Sequence, residues 1–220
     1  FAIKKENTYN QKYAFRKYKI KTVENKHTHL VPEELEQLER LSLTDKHMKL
    51  QKSLDAFLFS CYAGMRYSDF TNLSKKNIVD INQETWLIYK SVKTGTEVRL
   101  PLYLLFAGKG IVILNKYRNN LEDFFHLRDN SNINKDLIII AKLAGLSKKI
   151  SFHTARHTNA TLLIYNGVNI TTVQKLLGHK SVKTTQVYTN IMDMTIVHDL
   201  EKIKQAALGI KKKTDNSFNK

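Results

Sequence analysis

The sequence predicts a mainly helical α+β fold with a small three-stranded antiparallel sheet. Three observations carry this. Apolar residues recur at helical spacing along most of the chain between residues 32 and 208. Three short β-type runs, 78–81, 85–89 and 97–100, interrupt that pattern and are bounded by turn residues. Helical spacing then returns over 152–188, with breaks at Gly167 and Gly178.

The chain has 220 residues, 42% of them hydrophobic, and a formal net charge of +16. That length suits one large domain, or one domain plus arms. The basic excess points to a polyanion, nucleic acid first. An acidic membrane surface is the competing partner, but no amphipathic anchor opens the chain. The longest apolar runs, such as 137–141, fall far short of the ~18 residues a membrane span needs. Cys61 is the single cysteine, so neither an internal disulfide nor a cysteine zinc cluster can form. This suits a reducing compartment, and with no visible signal peptide the expectation is a cytoplasmic protein without membrane contact.

Residues 1–26 carry eight Lys or Arg against two Glu, with Tyr9, Tyr13, Phe15 and Tyr18 interleaved. They read as a basic linker or arm, and their composition fits a disordered, solvated tail equally well. The main domain is expected over 27–194. Pro32 at a first-turn position, followed by Glu33 and Glu34, opens a helix with Leu35, Leu38 and Leu41 as its buried stripe. A second helix puts Leu50, Leu54, Phe57, Leu58 and Cys61 on one face and ends at Gly64. Arg66 follows that glycine break, and Ser68 is placed to cap a short helix.

The three β-type runs come next, with Trp86 and Ile88 expected to fill strand faces. Lys93-Thr94-Gly95-Thr96 makes the turn between the last two. One helix is expected around 111–117. Ala107-Gly108-Lys109-Gly110 is not a nucleotide-binding loop, because the earlier glycine and the Ser or Thr after lysine are missing. Ser131 or Asn132 can cap a helix carrying Ile133, Leu137, Ile140, Ala141 and Ala144, stopped by Gly145. Helices are then expected over 153–165, 170–177 and 182–191. Residues 195–220 read as a helix with Ile196, Val197, Leu200, Ile203, Ala207 and Leu208 at helical spacing, and then a basic polar tail.

The stretch 152–188 carries the chemistry. His153 and Arg156 lie three residues apart and share a helix face. His179 follows Gly178, and Tyr188 lies nine residues beyond His179. A cation, two imidazoles and a phenol on one compact frame suit a phosphodiester: cations and donors bind the non-bridging oxygens and the phenol attacks phosphorus. His153 and His157 also have the spacing of a helical metal pair. The glutamate of that motif and a third ligand are missing, so no metal is expected.

The full pattern is His-x-x-Arg-His-Thr-x-Ala-Thr, then Leu-Leu-Gly-His-x-Ser-x-x-Thr-Thr-x-x-Tyr. It resembles the signature of the tyrosine recombinases, also called phage-type integrases, and the resemblance extends over roughly residues 30–191. It implies a helical tyrosine-recombinase catalytic domain that cuts and rejoins double-stranded DNA through a 3′-phosphotyrosyl bond to Tyr188, without metal or cofactor. Arg66 and Arg156 would hold the scissile phosphate and His179 would donate to it. His153 would hydrogen-bond the phosphate or help take the tyrosine proton. Lys93 would protonate the leaving 5′ oxygen, with Lys90 as the near competitor because hairpin register is open. Asp69 would brace the site, one methylene shorter than the commoner Glu, and His157 would pack or brace.

The resemblance also implies that residues 1–26 are the linker from an amino-terminal DNA-binding domain that this sequence, beginning at Phe1, has lost. It further implies a homo-tetramer on DNA joined through the C-terminal helix, a prokaryotic cytoplasm or nucleoid, and a mobile element as the biological setting; the residues of that helix fit packing on its own domain equally well, and the free fragment is expected to be monomeric. Two other readings compete. One is a helix-turn-helix regulator built on 168–188, which leaves Arg66, Lys93 and the His153–Arg156 pair unexplained. The other is a type IB topoisomerase, which shares the tyrosine chemistry but usually carries lysine at the His153 position.

Overall fold

The computed structural model of the chain describes residues 28–188. The expected linker 1–26 and the expected helix and tail over 195–220 lie outside the described residues. Helix α1 is Pro32–Glu39, and its first turn is closed by the Glu34 carboxylate accepting from the Val31 backbone N–H at 3.0 Å. A 3₁₀ turn over Asp45–Leu50 leads into α2, Gln51–Ala63, which Gly64 ends in the left-handed conformation at φ 65°. Helix α3, Tyr67–Phe70, follows at once. Strands β1 (Ile78–Ile81), β2 (Glu84–Lys90) and β3 (Glu97–Pro101) form one antiparallel sheet in that order. The rest is helical: α4 (Lys109–Lys116), α5 (Leu121–Phe125), α6 (Asn130–Leu143), α7 (Phe152–Tyr165), α8 (Ile170–Leu176) and α9 (Val182–Gln186).

The structure departs from the sequence-based expectation at five places. First, α2 is not a one-faced helix: every residue from Ser53 to Ala63 is buried. It is the central rod, covered by α7, α4 and α6. Its polar residues are tolerated because they are paired: Asp55 with Lys116 at 3.0 Å and Tyr117 at 2.9 Å, and Ser53 with Asp136 at 2.6 Å. Second, Arg66 rather than Ser68 occupies the cap position before α3, because the left-handed turn at Gly64 lets the helix start at Tyr67.

Third, the buried face of the sheet is Leu87 and Tyr89 with Val98 and Leu100 opposite them. Trp86 and Ile88 point the other way and are half-buried, Trp86 meeting Tyr103 edge-on at 6.1 Å. Fourth, Asp129 caps α6, its carboxylate accepting from the Asn132 backbone N–H at 3.0 Å. The carboxylate outcompetes Ser131 and Asn132 because it also complements the helix dipole. Fifth, α5 is a short helix that no stripe announced.

Two packing features set the site. Phe70 on α3 meets Phe59, Phe124, Phe125 and Phe152 at ring-centroid distances of 5.3 to 5.9 Å, all close to edge-on. Such contacts add about 0.5–1.5 kcal/mol each beyond burial and fix the short helix that follows Arg66. Asn159 on α7 donates from its amide nitrogen to the Cys61 and Tyr62 carbonyls at 2.9 and 3.0 Å, satisfying groups that the end of α2 leaves open. Among the described residues no helix is long and apolar enough to cross a membrane.

Candidate active site

Arg156 is the largest fully buried side chain among the described residues, 1% exposed. Helix α7 is buried along its length by α2 and α8, so its guanidinium cannot reach water. It donates to two backbone carbonyls instead: Gly64 at 2.7 Å and Leu177 at 2.6 Å. Gly64 stands two residues before Arg66, and Leu177 two before His179. One planar fork therefore stitches together three sequence motifs. Burial, and next the positive charge of Arg66, lower the Arg156 guanidinium to about 10, which leaves it cationic at neutral pH.

Arg66 approaches from the other side. Its Nη1 donates to Asp69 at 3.4 Å and to Ser91 at 3.3 Å. Asp69 is buried and is spent on holding the arrangement: it accepts from the Val92 backbone N–H at 2.8 Å and from the Ser91 hydroxyl at 3.3 Å. Asp69 thus ties the arginine turn to the β2–β3 hairpin. Ser91, which sequence reasoning missed, is the bridge between them. Only its position just before Lys93 hinted at it.

His179 is 8% exposed. Its Nδ1 lies 2.9 Å from the Thr185 hydroxyl. If Thr185 donates there, the ring proton sits on Nε2 and is available to a phosphate oxygen. Burial, and then the charges of Arg156, Arg66, His153 and Lys93, hold His179 down at about 4. It is therefore neutral at pH 7. An imidazole held below its unfolded value of ~6.5 contributes its full stability above that pH, and the contribution disappears as pH falls through about 4. The unfolding free energy of the protein minus that of His179→Asn is therefore expected to shrink by about 1–2 kcal/mol between pH 7 and pH 4, after discounting for solvent screening. Denaturant titrations across that range check it, and a flat difference would contradict it.

The hairpin is fixed to the His179 turn at two points. Thr94 Oγ1 donates to the Gly178 carbonyl at 3.1 Å. Gly178 has φ 62°, and a Cβ there would come within 2.6 Å of Val98 Cγ2 on the buried face of the sheet. Gly178→Ala is thus strained in backbone and in packing. It is expected to push the hairpin away from His179, costing about 2–3 kcal/mol of stability. Chemical denaturation checks this. Lys93 itself is exposed on the hairpin. Lys90 lies folded over the same turn, its Cε 3.9 Å from where a Cβ on Gly95 would stand.

Tyr188 is 4% exposed, and its hydroxyl lies 3.1 Å from Nδ1 of His157. Burial raises the phenol above its ordinary value, while Arg156 and Arg66 pull it back down. His157, read from sequence only as a packing or bracing residue, is thus the imidazole that touches the phenol. His153 is exposed and packs edge-on against His157 at 4.5 Å between centroids. His153 shares a cavity of about 310 Å³ with Arg66, Ser68 and Ser151. The structure therefore brings Arg66, Arg156, His153, His157, His179 and Tyr188 into one neighbourhood with Asp69 behind Arg66. Among the described residues no group of three His, Cys, Asp or Glu could hold a metal ion.

The profile of the phage integrase family matches residues 28–194. A tyrosine recombinase of Pseudothermotoga lettingae is 30% identical over 181 residues, covering 80% of this chain and 60% of the relative. The crystal structure of XerA recombinase superposes with a TM-score of 0.62 at 25% identity, over 80% of this chain and 64% of that one. A lambda integrase tetramer bound to a Holliday junction shares the fold, with a TM-score of 0.57 at 19% identity, over 73% of this chain and 47% of its own. The chain thus spans less than two thirds of each of these proteins. With a profile match that begins before α1 and runs past Tyr188, the chain belongs to the phage integrase family, the tyrosine recombinases.

Proposed function

We propose that the protein cuts and rejoins double-stranded DNA through a 3′-phosphotyrosyl bond to Tyr188, as a site-specific recombinase or integrase of a mobile element. The observation that carries this is the buried Arg156 fork, which joins the Arg66 turn to the His179 turn beside the tyrosine. Two guanidiniums close enough for one to depress the other, with the Asp69 carboxylate beside Arg66, leave an excess of positive charge that a phosphodiester would balance. In this reading Arg66 and Arg156 supply the field around the non-bridging oxygens and neutral His179 donates to one of them. His153, open to the cavity beside Arg66, hydrogen-bonds the phosphate. Lys93, on the hairpin tied to the His179 turn, gives its proton to the departing 5′ oxygen.

The attack forms the Tyr188 Oη–P bond and breaks the P–O5′ bond. The phenolic proton passes to an imidazole, and a 5′-hydroxyl leaves. Because the phosphodiester bond energy is kept in the phosphotyrosine, a 5′-hydroxyl can reverse the step without ATP. With its ring 4% exposed, Tyr188 is at rest in this conformation, and His157 holds it there. Attack requires the turn after α9 to carry the ring outward.

Assembly as a tetramer on DNA is part of the same proposal, with the helix expected over 195–208 as the link between copies. An apolar cleft of about 230 Å³ beside Tyr188, walled by Leu30, Pro32, Leu162 and Ile164, supports a docking place for such a helix. The regulator reading loses support, because α9 spans five residues and Thr185 is turned inward onto His179. The test is incubation with a nicked suicide duplex in EDTA, followed by denaturation. A covalent protein–DNA band is expected, and its absence on every candidate site sequence would refute the reading.

A further inference from the structure

A cavity of about 710 Å³ forms a trough between α6 and the start of α7. It adjoins the smaller cavity that holds Arg66, since Asn130, Asn134, Ser151 and His153 line both. Lys135 on α6 and Lys149 in the loop before α7 stand on its walls, and none of the residues lining it is acidic. Among the described residues, Lys52, Lys109, Lys116 and Lys148 are each spent on a carboxylate, whereas Lys135 and Lys149 make no ion pair. Lys148 pairs with Glu34 at 2.7 Å, while its neighbour Lys149 faces the trough.

The carboxamides are already committed. Asn134 Oδ1 accepts from the Phe152 backbone N–H at 2.8 Å, and its amide nitrogen lies 3.5 Å from Asn130 Oδ1. They build the wall and are poorly placed to read bases. What the trough offers a ligand is two unpaired ammonium groups. From Asn130 to Ile138 the helix advances about 12 Å, room for a short run of sugar-phosphate backbone.

We propose that this trough carries the sugar-phosphate backbone of the DNA strand flanking the cleaved phosphodiester, with Lys135 and Lys149 each neutralising one phosphate. The proposal rests on the DNA-cleaving reading above and adds a strand path to it. The path is sequence-tolerant, because its contacts are to phosphate.

The experiment uses the full chain and a duplex that gives the covalent band. The Lys135→Gln/Lys149→Gln variant is expected to bind about tenfold more weakly near physiological salt. Its plot of log affinity against log salt is expected to be shallower by about 1.8, at ~0.9 per phosphate. Lys46→Gln/Lys76→Gln removes the same charge outside the trough and is expected to change the slope less than half as much. Neutral methylphosphonates placed one at a time along the cleaved strand then locate the contacts. At two positions near the cleaved bond they weaken the wild type and leave the double variant unchanged. An unchanged slope, a slope equal to the control's, or additive losses at every position would overturn the proposal. If the wild type still forms the covalent band in those cases, only the strand path has failed. If it forms none, the DNA-cleaving reading has failed with it.

Discussion

Tyr188→Phe is expected to abolish the covalent protein–DNA adduct, down to the detection limit of a denaturing gel, while leaving fold and DNA affinity almost unchanged. The substitution removes one oxygen and keeps the ring, so the packing of that ring against its apolar neighbours survives. The cost to stability is one hydrogen bond, that to His157 at 3.1 Å, about 1 kcal/mol. Affinity for duplex DNA depends on cationic groups the variant retains, and is expected to stay within about twofold. Ser91, buried against Asp69, and Thr185, bonded to His179, cannot substitute for it. A persistent adduct in the variant would remove Tyr188 as the nucleophile.

Arg156 is expected to matter twice. Arg156→Ala leaves the Gly64 and Leu177 carbonyls without their donor and opens a void at the centre of the molecule. The expected loss is about 3–5 kcal/mol of stability, by analogy with breaking other buried charged contacts. Arg156→Lys keeps a charge but cannot span two carbonyls with one planar group, so about 10²–10³-fold of cleavage rate should go even where the protein folds. Arg66→Ala is the cleaner comparison, since its side chain lines the cavity it shares with His153 rather than filling the core. It is expected to lose a similar factor in rate with stability within about 1 kcal/mol of the parent. Denaturant midpoints and single-turnover cleavage on the same preparations separate the two effects. Equal destabilisation by both Ala substitutions would contradict the division of labour between a buried stitch and a cavity-lining arginine.

Much of this architecture was legible in the sequence because it is written locally. The helix over Phe152–Tyr165, the stop at Gly64, the three strands and the hairpin with Lys93 follow from period, glycine and turn chemistry within a few residues. What was not legible depends on residues far apart in the chain. Ser91 reaches Asp69 across 22 positions, Thr94 reaches Gly178 across 84, and Asn159 reaches the end of α2 across 97 and 98. Ser, Thr and Asn have no periodic signature of burial, and their partners here are mostly backbone carbonyls, which every residue has. The stripe on α2 was readable, but its complete burial was not, because Asp55 and Ser53 look solvent-facing until Lys116, Tyr117 and Asp136 are brought to them. The roles of the two histidines on α7 were divided for the same reason. From the sequence, His153 takes the phosphate or the tyrosine proton and His157 is left to pack or brace, and only the return of the chain at residue 188 places His157 against the phenol.

The measurement closest to the centre of this account is the identity of the amino acid that carries the DNA. A nicked suicide duplex is reacted in EDTA, the adduct is digested with protease and nuclease, and the nucleotide-bearing peptide is sequenced by mass spectrometry. The account predicts one peptide, modified on Tyr188 by a 3′-linked nucleotide, formed without metal. A nucleotide on any other residue, a 5′ linkage, or an adduct that forms only when a divalent metal is supplied would contradict it.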